Sequence, residues 1–134
     1  MKSEIEIIIP SLGNKKLFKT IESINRGSIV PNKIICLINN KKKINIKKNY
    51  KNLKIYYTFK KGQILQRLEA FKITSGKFIL QLDDDIILEK NCLKNLLKSL
   101  KKLGKGNVVG PLFKDLSGEP IHKINRSHFK FFYD

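Results

Sequence analysis

The sequence predicts an α/β fold of three layers, with a mostly parallel sheet between helices. Three observations carry that expectation. The apolar runs at 4–9, 33–38 and 77–82 are almost unbroken, as in strands buried on both faces. Stretches whose apolar residues recur at helical spacing separate them, and each run ends in polar or acidic residues. Strands that alternate with helices form βαβ units, and right-handed crossovers bring their carboxyl ends to one edge of the sheet.

In chain order, residues 4–9 read Glu-Ile-Glu-Ile-Ile-Ile, a strand that Pro10 and Ser11 are expected to stop. Asn14 is placed to cap a helix over 15–26, where Leu17, Ile21 and Ile24 share a face, and Gly27 to end it. Pro31 and Asn32 turn the chain into a second strand, 33–38, which ends at Asn39 and Asn40. The lysine- and asparagine-rich stretch 41–52 reads as a solvated connection. Residues 53–59 alternate as a third, more exposed strand, with Gly62 as a turn residue. A helix over 63–74 puts Ile64, Leu65, Leu68 and Phe71 on one apolar face, and Ser75 and Gly76 stop it.

That helix feeds the strand 77–82, expected to be central. A helix over 91–103 then aligns Leu93, Leu96, Leu97, Leu100 and Leu103 in one core-facing stripe, closed by Gly104. A further strand is expected at 107–113, a turn at 115–118 and a short strand at 121–124. The aromatic tail, with Phe129, Phe131, Phe132 and Tyr133, finds no element left to pack against. No repeat or linker divides the 134 residues, so a single domain, 1–134, incomplete at its C-terminus, is expected.

Cys36 and Cys92 have neither disulfide nor zinc-ligand spacing, which suggests a reducing compartment; Cys36 is expected to be buried strand packing and Cys92 a helix surface or edge residue, neither with a chemical role. No signal peptide precedes the first strand and no apolar run approaches the roughly 18 residues of a membrane span, so a soluble, cytoplasmic protein is expected. The net charge of +17 would ordinarily suggest nucleic acid or an anionic membrane surface. Of the 28 basic residues, however, only Arg26, Arg67 and Arg126 are Arg, the side chain that nucleic-acid readers use for bidentate contacts. The lysine excess reads as compositional background that assists binding of anionic sugar nucleotides or attachment to a membrane face. A basic module that binds nucleic acid through the lysines of 41–51 and 98–105 remains the alternative.

The strongest site signal is the end of the strand at 77–82, where Asp83, Asp84 and Asp85 follow one another. Three adjacent carboxylates repel one another and resist burial. A hard divalent cation, Mg²⁺ or Mn²⁺, offsets such charge using one or two carboxylates together with phosphate oxygens and water. The carboxyl ends of strands in open α/β sheets are also where ligands bind. The bland alternative is a solvated turn or a helix cap. No glycine-rich phosphate loop of the Rossmann or P-loop pattern is present, so a carboxylate-bound cation would have to hold the phosphates.

In this order the residues resemble the GT-A glycosyltransferases of family 2. The run 7–14, Ile-Ile-Ile-Pro-Ser-Leu-Gly-Asn, looks like their opening strand and turn, and 80–85, Leu-Gln-Leu-Asp-Asp-Asp, like their Asp-X-Asp segment. Gly62, Arg67, Ala70 and the run 75–78, Ser-Gly-Lys-Phe, fall where that family has its intervening helix and the start of its metal strand. The resemblance implies a truncated, Rossmann-like nucleotide-diphospho-sugar transferase with a role in polysaccharide biosynthesis. It would move a sugar from a nucleotide-diphosphate donor to a glycan, a lipid-linked or a protein acceptor.

Carried over by position, Asp85 would coordinate Mn²⁺ or Mg²⁺ and Asp83 would share the metal or contact the ribose, with Asp84 and Arg67 beside the donor. Pro10, Ser11 and Asn14 would line the nucleoside pocket. Asn39 stands where the family usually has an acidic residue, and its amide can still pair with a base edge. No catalytic base is identifiable: Asp115, Glu119, His122, His128 and Asp134 are the only late titratable candidates. A nucleotidyltransferase would use the same carboxylates, but Ser11, Leu12, Gly13, Asn14, Lys15 and Lys16 make a poor version of its glycine-rich loop.

Overall fold

The computed structural model describes residues 4–39, 44, 49–60 and 62–114. They form strands β1 (Ile5–Ser11), β2 (Lys33–Asn39), β3 (Leu53–Thr58) and β4 (Phe78–Gln81), and helices α1 (Leu17–Asn25), α2 (Gln63–Lys72) and α3 (Cys92–Leu103). Two compact units, 1–95 and 96–134, divide the chain, and the whole sheet belongs to the first.

All strand pairings are parallel, in the order β3-β2-β1-β4. Ile7, Ile8 and Ile9 of β1 and Ile34, Ile35 and Ile38 of β2 are fully buried. Successive side chains of a strand point to opposite faces, so both faces of this pair are covered. Each such side chain contributes about 1.5–3 kcal/mol of burial free energy, which makes β1 and β2 the core of the unit. The chain steps outward from β1 to β2 to β3, then crosses back to β4 on the other side of β1. Right-handed crossovers in these opposite directions put α1 and α2 on opposite faces, which gives the three layers.

Several expectations are corrected. Pro10 and Ser11 do not stop β1: the strand runs through both, in register with Leu37 and Ile38. Proline is tolerated in a central strand here because β1 pairs with β4 only from Ile5 to Ile8. Ile8 offers its carbonyl to Leu82, so Pro10, two residues on, turns its nitrogen to that same side, where β4 has already left. Among the described residues β4 pairs on one side only, with β1, and its side chains alternate between half-buried and exposed. It is thus an edge strand there, because β2 and β3 occupy the other flank of β1.

The apolar face expected to pack on α2 points outward. Ile64, Leu65, Leu68 and Phe71 are exposed, Ile64 by 74%, whereas Gln66 and Ala70 are buried. Ala70 closes a buried cluster with Ile8, Ile35 and Leu37. Polar anchors set this rotation: Gln66 donates to the Ser11 carbonyl (3.5 Å), Arg67 pairs with Asp83, and Glu69 accepts from the Thr58 hydroxyl (2.5 Å) and pairs with Lys60. Positions 66, 69 and 70 occupy the side of the helix away from 64, 68 and 71, so engaging them turns the larger hydrophobes to solvent, while Arg67 reaches Asp83 from the flank beside Phe71.

At the amino edge of the sheet, Glu6 is 1% exposed. It accepts from the Ser75 N–H (3.0 Å) and hydroxyl (3.3 Å) and pairs with Lys33 (3.2 Å), joining β1, β2 and the connection into β4. Burial alone would push the Glu6 carboxyl up; the Ser75 N–H and the Lys33 ammonium outweigh it and hold the group below the usual carboxylate range. Gly76 fits only because it lacks a side chain, since a Cβ there would stand 2.7 Å from the Glu6 Cγ.

On α3, Leu93 is buried while Leu103, at the other end of the expected stripe, is 56% exposed. The expected strand at 107–113 is absent: no regular element follows α3 among the described residues. Gly104 and Gly106 take positive φ values of 85° and 80°, and the Asn107 amide donates to the Leu103 carbonyl (2.9 Å), closing the helix instead of extending the chain. The turn at 115–118, the strand at 121–124, the aromatic tail and most of 41–52 lie outside the described residues.

Candidate functional site

In a parallel sheet of this order, strand connections change direction between β1 and β4, and in open α/β sheets ligands bind at such a switch point, beyond the carboxyl ends. Ser11 ends β1 there, and Asp83, Asp84 and Asp85 follow β4. The Ser11 hydroxyl donates to Asp84 Oδ2 at 2.5 Å and accepts the Gly13 N–H at 3.0 Å. Two of the three expected strand ends therefore touch.

The three carboxylates are treated differently by their surroundings. Asp83 pairs with the Arg67 guanidinium, Asp84 turns in to Ser11, and Asp85 is exposed. Arg67 is consequently not the solvated helix-face charge that its position on α2 suggests. Its side chain is about three-quarters buried, its Nε has no hydrogen-bond partner, and the same holds for the buried Oε1 of neighbouring Gln66. Protein donors thus hold two members of the acidic run.

The remaining expected residues lie around this edge. Pro10 is buried, level with Leu37. Asn39 ends β2, partly buried and level with Thr58 of β3. Asn14 is exposed and does not cap α1 directly; its Oδ1 accepts the Lys16 N–H (3.0 Å) and its carbonyl the Leu17 N–H (3.1 Å), so it builds the turn that launches the helix. Asp115, Glu119, His122, His128 and Asp134 lie outside the described residues.

Burial pushes the Cys36 thiol up to about 12, with the Asp84 charge adding to it, so this cysteine is packing and not a nucleophile. Burial likewise raises the half-buried Cys92, with Glu89 adding to it. Among the described residues no group of three or more His, Cys, Asp or Glu side chains is arranged to hold a metal ion. None of the described helices is long and apolar enough to cross a membrane.

Sequence reasoning missed Thr20, Ser23 and Gln66. Thr20 is fully buried on the same stripe as Leu17, Ile21 and Ile24, and its hydroxyl donates to the Asp84 carbonyl at 3.0 Å. A hydroxyl interrupting an apolar stripe was the available signal.

A parallel sheet of this order with helices on it is the arrangement of the GT-A class of nucleotide-sugar transferases. Within that class the chain belongs to glycosyl transferase family 2, whose family model matches residues 6–132. No curated protein sequence matches it significantly. Among solved structures, S. aureus TarS superposes with a TM-score of 0.59 at 18% identity, over 86% of this chain and 24% of TarS. A shorter TarS structure, residues 1–349 in complex with UDP-GlcNAc, gives 0.57 at 19% identity, over 86% of this chain and 39% of that one. The 4-diphosphocytidyl-2C-methyl-D-erythritol synthase of Anaerococcus prevotii gives 0.55 at 17% identity, over 95% and 65%. The chain thus spans well under half the length of the TarS structures it matches.

Proposed function

We propose that this chain binds a nucleoside-diphosphate sugar at the edge between β1 and β4, as the donor-binding part of a sugar transferase. The observation that carries the reading is the meeting of Ser11 with Asp84 at the switch point of a family 2 domain. It leaves Asp83 about half exposed and Asp85 exposed on either side of the anchored Asp84. A relative of the same fold has been solved with UDP-GlcNAc, which makes that donor the first to try.

The donor set suits a hard cation. Mg²⁺ and Mn²⁺ need only one or two protein carboxylates when phosphate oxygens complete the coordination, and Asp85 together with the outer oxygen of Asp83 would supply them. Such an ion, when bound, neutralises the charge that grows on the departing nucleoside diphosphate. The chain's own part is to bind and orient. Pro10, Ser11 and Asn14 would line the nucleoside pocket, and the Asn39 amide would face the base, able both to donate and to accept. Arg67 holds a fixed positive charge beside Asp83, and its unpartnered Nε is a donor within this acidic edge. Asp84 supports the donor indirectly, through Ser11 and the turn to Gly13.

The acceptor, whether glycan, lipid-linked or protein, and a peripheral attachment to the cytoplasmic face of the membrane belong to the same reading. The group that removes the acceptor's proton would come from residues beyond those described. Calorimetric titration with UDP-GlcNAc, other uridine and guanosine diphosphate sugars, and CTP, with and without Mn²⁺, tests it. The expected result is Mn²⁺-dependent heat with a diphosphate sugar that falls by about tenfold or more in affinity in Asp83→Asn and Asp85→Asn. Heat with CTP alone, or no metal-dependent heat in a folded sample, overturns the reading.

A further inference from the structure

The segment that carries the carboxylates has no regular secondary structure between β4 and α3, yet it is fastened at intervals. Leu82 donates its N–H to the Ile8 carbonyl of β1 at 3.0 Å. The Asp84 carbonyl accepts from the Thr20 hydroxyl at 3.0 Å. The Leu88 N–H donates to the Ser23 hydroxyl oxygen at 3.0 Å, and that hydroxyl donates in turn to the Thr20 carbonyl at 2.8 Å. The Lys90 carbonyl accepts the Ser28 N–H at 2.8 Å, just past the end of α1. Three of these four fastenings come from α1 or the turn that follows it.

Thr20 and Ser23 are three residues apart on a helix, so both hydroxyls emerge on one side, about one turn from each other. Thr20 has no exposed surface, and the Asp84 carbonyl it holds is part of a half-buried residue. Asp84 is therefore held twice, at its carbonyl by Thr20 and at its side chain by Ser11. With the middle residue fixed at both ends, the flanking Asp83 and Asp85 have little freedom in how far apart their carboxylates stand.

We propose that Thr20, with Ser23 as a second fastening, is a positioning residue: the two α1 hydroxyls set the spacing at which Asp83 and Asp85 are presented to the donor. The inference rests on the donor-site reading above, but its mechanical half does not. Both hydroxyls work through the backbone of the acidic segment and touch neither substrate nor ion. Removing them should leave the carboxylates in place chemically while loosening their geometry. A cation that needs its oxygens at fixed distances is sensitive to that loosening.

The test uses the full chain and two independent measurements on Thr20→Val, Thr20→Ser and Ser23→Ala. The first is amide hydrogen exchange without ligand, which reports local opening. The Leu88 amide should exchange about tenfold or more faster in Ser23→Ala and in Thr20→Val, while those of Ile35 and Leu37 in β2 keep wild-type protection. The second is Mn²⁺ affinity in the presence of UDP, read from the electron paramagnetic resonance signal of free Mn²⁺. Thr20→Val should weaken it by about tenfold or more, and Thr20→Ser, which keeps the hydroxyl, should stay within about threefold of wild type.

A Thr20→Val protein that binds Mn²⁺ and UDP like wild type, or whose Leu88 amide exchanges like wild type, overturns the proposal. Should Thr20→Val lose the β2 protection as well, Ser23→Ala carries the same two readings from a half-buried position. A wild type whose segment loosens in the variants but which takes up no Mn²⁺ with UDP overturns the donor-site reading and leaves the fastening established.

Discussion

Arg67 and Asp83 decide how the acidic run is tolerated. Their ion pair is partly screened, since the Asp83 side chain is about half exposed, so its coupling should resemble a surface pair more than a buried one. A double-mutant cycle of Arg67→Ala and Asp83→Ala, followed by urea unfolding, should give a coupling of about 1 kcal/mol or less. A value of several kcal/mol would mean that the pair is sealed from water. Cys36 permits a second check at this scale. Its thiol is buried and held protonated, so in the native chain a thiolate-directed reagent should label Cys92 first, with Cys36 following only on unfolding; peptide mass spectrometry reads the order. Thr20 and Gln66 escaped sequence reading because their partners, the Asp84 and Ser11 carbonyls, lie 64 and 55 residues away and are backbone atoms, which leave no pattern in side-chain order.

At the level of elements, α2 is the clearest case of a helix whose existence is periodic but whose rotation is not. Hydrophobic spacing at 64, 68 and 71 marked an apolar face, yet the polar anchors Gln66 and Glu69 and the small Ala70 turned the other face inward. The consequence is testable by stability. Leu68→Gln, on the exposed side, should change the unfolding free energy by no more than about 0.5 kcal/mol. Ala70→Leu, which forces bulk into the cluster with Ile8, Ile35 and Leu37, should cost about 1–3 kcal/mol. The connection into β4 has a similar constraint. Gly76→Ala would drive a methyl to 2.7 Å from the Glu6 Cγ and should cost about 1–3 kcal/mol in urea unfolding, unless the Glu6 side chain can move without losing Ser75 and Lys33.

For the molecule as a whole, Glu6 couples folding to pH. Its carboxyl titrates below the usual 4.5 when folded, so the folded state favours the charged form. The stability it contributes is fully present above pH 4.5 and is lost as pH falls through the lower, folded value. Comparing wild type with Glu6→Gln by thermal melts should show a gap that is constant from neutral pH down to about 4.5 and closes below it. A gap that widens in acid would reverse the assigned sign. The net charge of +17 at pH 7 works in the opposite sense, through self-repulsion that added salt screens, so at neutral pH the melting temperature should rise with moderate salt.

By itself the sequence determined that four parallel strands alternate with helices as far as α3, because apolar runs rich in isoleucine require burial on both faces and helical spacing between them requires crossovers. It also determined the edge where the acidic residues gather, since right-handed connections leave no other place for them. Tertiary structure alone decided which side of α2 faces the sheet, that β1 continues through Pro10, that no strand follows α3 among the described residues, and that Arg67, Ser11 and Thr20 divide the acidic run among them. Periodicity reports that a face exists. Which face turns inward, and which carboxylate stays free, depends on hydrogen bonds between residues remote in sequence, and those form only once the sheet has brought them together.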